Sequence, residues 1–139
     1  MAGQATRYAD KAYLEWLVGK TAMPAVGSIY VALLTAAPTE PINGGTITEA
    51  TYTNYARKST AGADWAAATD GPPAAITNAN AITFAACGGG SSAVTHFCLI
   101  DSANGAGNVR TWGSLSSTQT ISGTATPSFA AGALSATAA

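Results

Sequence analysis

The consecutive stretches VTHFCLID (94–101), SANGAG (102–107) and NVRTWGSL (108–115) decide how this chain is read. In the first, strict alternation sends Val94, His96, Cys98 and Ile100 to one face and Thr95, Phe97 and Leu99 to the other. Both sets are largely apolar, the pattern of a central strand buried on two sides. Asn104–Gly105 is a hairpin signal, because these residues accept the positive φ of a tight turn. The stretch 109–115 then returns as the partner strand, carrying Arg110 and Trp112.

Outward from this hairpin the texture stays β. IYVALLT (29–35) is a short apolar run consistent with a buried strand. The stretch 36–45 holds two prolines and the Gly44–Gly45 pair and reads as a loop. Residues 47–58 read as an extended segment ending in Arg57–Lys58, 64–68 around Trp65 as a strand, and Asp70–Gly71–Pro72–Pro73 as a break. Residues 80–86 form a further expected strand, with Gly88–Gly89–Gly90 as a turn and shorter strands near 120–122, 128–129 and 134–137. N-terminal to all of these, Ala9, Ala12, Tyr13, Trp16 and Leu17 follow helical spacing, with Thr6 placed to cap the helix and Gly19 to end it. That helix either covers one end of a sheet or docks on a partner subunit. The fold class is therefore mainly β, a β-sandwich or jelly-roll-like unit over about 28–137 with one N-terminal α-helix over about 6–19.

Composition narrows the function. With 139 residues, the chain matches one domain on the rough 100–200-residue prior, spanning 1–139. Charged residues are only 9% and the net charge is −1. Six Lys and Arg cannot neutralise a nucleic-acid backbone, which needs one cation per phosphate. No basic face for a membrane surface, no apolar run of spanning length and no secretion signal stand out, so neither membrane nor nucleic acid is an expected partner. Val, Ile, Leu and Phe total 22 residues, and alanine supplies most of the remaining apolar content. Alanine buries little area, so the core is thin and contacts with neighbouring subunits would add to it.

The residues of chemistry are sparse. His96 is the one histidine and falls inside a strand, so a structural imidazole is the expectation; a general base would need a nucleophile and an orienting carboxylate beside it. Cys87 and Cys98 with His96 match no zinc spacing. The two cysteines flank a glycine-rich turn, which leaves a disulfide open as the alternative to two reduced, buried thiols. The seven carboxylates form no DxD or ExxE set, and Gly88–Gly90 lacks the Lys-Ser or Lys-Thr of a phosphate loop. The expectation is a non-enzyme with no cofactor and no metal.

The segments YLEWLVGK (13–20), IYVALLTAAPTE (29–40), YAR (55–57), AITF (81–84), VTHFCLID (94–101) and SFAAGAL (128–134) occur in the order seen in a family of small tailed-phage virion proteins, which this chain resembles over essentially its whole length. Cys98 stands where that pattern more often has glycine. The resemblance implies a virion structural protein made in the host cytoplasm. A capsid decoration (cement) protein on the outer capsid surface is the leading expectation, because the chain is short, non-repetitive and charge-poor. It would bind the major capsid protein and form a homo-oligomer, a trimer being the guess. The alternative is a tail-fibre or baseplate component touching host glycans through Trp65 or Trp112. Expected contacts lie around 5–16 and in the loop 36–45, with Arg7, Lys11, Trp16, Glu40, Arg57, Lys58 and Arg110 as candidate partner-binding residues.

Overall fold

A computed structural model describes residues 2–138. The protein is mainly β with one N-terminal helix, as its sequence pattern indicates. Strand β1 (Ala2–Ala5) leads into α1 (Arg7–Leu17), then β2 (Ile29–Leu34), β3 (Lys58–Thr60), β4 (Ala74–Thr77), β5 (Ile82–Thr83), β6 (Ser91–Ile100), β7 (Val109–Ser122), β8 (Ser128–Phe129) and β9 (Ser135–Ala138). Seven strands form one curled sheet in the order β3-β2-β6-β7-β1-β9-β4. Its neighbours run antiparallel except β1 and β9, which are parallel. β5 and β8 pair as a separate two-stranded ribbon.

The apolar residues of β2 and β6 explain the layering. Val31, Leu33, Phe97 and Leu99 face one side, where Ile82, Phe84 and Phe129 from the ribbon region close over them. Phe129 meets both Phe84 and Phe97 edge-on, at 6.2 Å between ring centroids, a favoured aromatic geometry. Ala32, Leu34, Cys98 and Ile100 face the other side, covered by Ile42 and Ile47 of the 35–57 connection. The two-sided burial expected for the central strand is present, and the result is sandwich-like.

Several local expectations are corrected. Strict alternation in β6 breaks between Val94 and His96, where the ladder to β7 shifts register. Val94 consequently packs with Phe97 and Leu99 instead of with Cys98 and Ile100. Residues 64–68 form no strand: Gly62–Asp64 is a 3₁₀ turn, and Trp65 makes one isolated bridge to Asn78. The strand expected over 80–86 is only Ile82–Thr83, and 47–58 runs as loop until β3 begins. β7 is one 14-residue strand that absorbs the separate segment expected near 120–122. The sequence reading missed β1 and β4. Cys87 and Cys98 are free and buried in different clusters, so no disulfide joins them. Among the described residues no helix is long and apolar enough to cross a membrane.

Candidate functional site

α1 is built to be held at one end. Thr6 is 1% exposed; its backbone N–H donates to Arg110 O (3.0 Å) and its hydroxyl to Val109 O (2.5 Å), while Oγ1 accepts from Ala9 N (3.4 Å). One threonine thus caps the helix and fixes it to β7. Glu40 adds a second anchor, accepting from Arg7 N and Ile42 N at 3.1 Å each. Its carboxylate sits where the helix dipole favours negative charge, as does Asp10 in the first turn. Arg110 completes the grip, its guanidinium 5.6 Å from the centre of the Tyr8 ring and 3.5 Å from Asp101.

Beyond this first turn the helix leaves the sheet. It buries none of its residues, which corrects the expectation of a helix covering the end of the sheet. Tyr13, Leu14, Trp16, Leu17 and Val18 are 48–77% exposed, followed by Met23 and Val26 in the connection to β2. These seven are all of the large hydrophobic side chains exposed among the described residues, and they fall within one stretch, 13–26. Charges beside them are satisfied internally: Glu15 binds Lys11 Nζ (2.7 Å), Lys20 Nζ (3.8 Å) and the Thr21 hydroxyl (3.0 Å). The hydrogen bond from Lys11, then that from Thr21, holds the Glu15 carboxyl below the usual carboxylate range. Apolar exposure concentrated in this way is a feature shared by surfaces that contact a protein, a membrane or a ligand.

The second constellation is internal. Arg57 is 8% exposed and uses all five of its N–H donors. Nε and Nη2 grip the two Glu49 oxygens (3.0 and 2.8 Å), Nη1 reaches both Ser102 O and Oγ (3.0 Å each), and Nη2 also reaches Gly105 O (3.0 Å). The Tyr55 hydroxyl donates to Glu49 Oε1 (2.8 Å) and accepts from Leu33 N (3.1 Å). Burial, then the Glu49 charge, pushes the Tyr55 phenol well above its ordinary range. This network clamps the β6–β7 turn to the segment before β3.

A family model described as Podophage GP4 fiber I protein gp80 matches residues 4–137. The chain belongs to that family. No curated protein matches it. Membership of this family, whose description is of a fibre protein, makes the chain a structural protein of a tailed-phage particle, and the resemblance read from its strand motifs stands.

Against that identity, the candidate contact residues divide. Arg7, Lys11, Trp16 and Glu40 cluster on or beside α1, with Arg7, Lys11 and Glu40 exposed and Trp16 49% exposed. Arg110 sits at the helix root. Lys58 is exposed on the edge strand β3, where a lysine discourages pairing with another sheet. Arg57 is turned inward with no donor left for a partner, because Glu49 and the turn carbonyls take them all. Of the tryptophans named for glycans, Trp65 packs on the main core and donates its indole N–H to Thr60 Oγ1 (3.1 Å). Trp112 packs on the second core and also borders an open depression beside His96. His96 Nδ1 is 2.8 Å from Thr95 Oγ1. Among the described residues no cluster of metal-ligating side chains occurs. Leu14, Val18, Met23 and Val26 were not singled out from the sequence; the signal for the first two was the breadth of apolar residues around α1, wider than the stripe that includes Leu17.

Proposed function

We propose that this gp80-family protein is a fibre-associated subunit of a podophage virion that joins the particle through the apolar surface of 13–26. The observation that carries this is the confinement of every large exposed hydrophobic among the described residues to that stretch, which runs from a helix fixed at its root into the connection after it. Full burial of one Leu or Val side chain stabilises by about 1.5–3 kcal/mol, and here roughly half of that remains to be gained on contact. The partner is a neighbouring structural subunit, a closed homotrimer of this chain being the arrangement put forward.

Capsid decoration is the second reading, favoured by the short, non-repetitive, charge-poor chain. In that reading the same surface seats on the major capsid protein at the outer shell, and many weak copies act together. Labelling of particles with a tagged copy, with a copy count by mass spectrometry, separates the two. Label confined to the tail at low copy number supports the fibre reading; hundreds of copies over the shell support decoration. Particles that incorporate a Leu14→Ser/Leu17→Ser variant as well as wild type would overturn the role given to α1.

A further inference from the structure

A different feature lies on the part of the sheet that the 35–57 connection leaves uncovered. Trp112 and Ser114 stand two residues apart on β7 and so share a face. Gln4 of β1 pairs with Trp112, and His96 of β6 pairs with Ser114. These side chains, with Thr137 of β9, surround an open depression of about 380 Å³. The His96 ring is 5.8 Å from the Trp112 ring and tilted 50° to it, so the two aromatics form an angled wall.

The chemistry of the lining is specific. No carboxylate, lysine or arginine contributes to it. Among the described residues, four hydrogen-bonding groups facing this area have no hydrogen-bond partner: the Gln4 amide, the Ser114 hydroxyl, His96 Nε2 and the Trp112 indole N–H. Together they offer both donors and acceptors. An aromatic surface flanked by a few fixed polar groups suits a ligand with one apolar face and a polar rim. Facing side chains on paired strands are about 4.5–5.5 Å apart, close to the separation of hydroxyls across a six-membered ring. The strands make the platform rigid.

We propose that this depression binds an uncharged pyranose sugar, its C–H face stacked on Trp112 and its hydroxyls held by Gln4, His96 Nε2 and Ser114. The absence of charged side chains disfavours phosphorylated or acidic sugars, because their charge would be desolvated with nothing to balance it. The site depends neither on α1 nor on where in the particle the protein sits, so its failure and that of the assembly reading are separable.

The test is saturation-transfer NMR on the full chain with a panel of neutral methyl pyranosides and the methyl glycoside of N-acetylneuraminate as the acidic comparator. Saturation is expected on the ring C–H protons of at least one neutral glycoside and not on the acidic one. Trp112→Ala should reduce the signal on the order of tenfold. Ser114→Trp, at an exposed position, should block the rim to the same extent with the fold retained, whereas Tyr13→Ser on α1 should leave binding unchanged. No transfer to any neutral pyranoside, equal transfer to the acidic sugar, or undiminished transfer in Ser114→Trp would overturn the proposal.

Discussion

Arg57 holds together segments that have little apolar material to do so. Its guanidinium bridges Glu49, Ser102 and Gly105, so Arg57→Ala leaves the Glu49 carboxylate with Tyr55 alone as donor and two carbonyls without theirs. The expected loss is about 3–5 kcal/mol, read as a lower midpoint in urea unfolding. Arg57→Lys should recover little, since a single ammonium cannot reproduce a two-pronged grip on the carboxylate. Cys98 gives a second prediction at this scale. Burial, then the Glu49 charge, pushes its thiol up from 9.0 to about 12. The unfolded chain therefore loses this proton first as pH rises, so stability is full below about pH 9 and declines above it. The Tyr55 phenol, also raised, adds to the decline at higher pH. Cys98→Ala should flatten the fall of urea-unfolding stability between pH 9 and 11, and an unchanged slope would count against a buried thiol. The adjacent pair Arg57–Lys58 shows what sequence alone conveys here. Two cations side by side read as surface, yet one is sealed inside by Glu49 and by a turn more than forty residues away, partners that no local pattern announces.

At the level of elements, α1 combines a firm root with an unburied body. Thr6→Ala removes the cap and the bond to Val109 O together, and should cost about 1–2 kcal/mol in thermal or urea unfolding. Leu14→Ser/Leu17→Ser should change the stability of the separated chain by no more than about 0.5 kcal/mol per site, because both side chains are already more than half exposed. Self-association, followed by light scattering, should fall in the same variant. The contrast between these two outcomes distinguishes a fold-supporting helix from one that awaits a neighbour. Helix, central hairpin and β2 were legible because each carries its own signal: cap and spacing in α1, alternation and Asn104–Gly105 in the hairpin, an apolar run in β2. β1, β4 and residues 116–119 of β7 were not. They consist largely of Ala, Gly, Ser and Thr, and exist as strands because partners present a ladder to them. The register shift at Val94/His96 defeated the face assignment for the same reason, since it is a property of two strands together.

For the whole molecule, scarcity of charge governs behaviour. Net charge is −1 and the ionic groups near the exposed apolar stretch are paired with one another. Association through that stretch should therefore persist in 1 M NaCl, where screening acts within about 3 Å, and yield to a mild non-ionic detergent. Dissociation by salt alone, seen by sedimentation, would point to an ionic interface instead. The pairing of β1 with β9 has a separate implication. Gly3 sits beside Ala136, and β4 has its strand partner in β9, with Asn78 bonded to Leu134 N at the same junction. Two of the seven strands, β4 and β9, thus join the sheet only once β9 is in place, and contacts of such long sequence separation form slowly. Without Ser135–Ala138, β4 would have no strand beside it and β1 would keep only β7, so closure of this side of the sheet rests on four small residues.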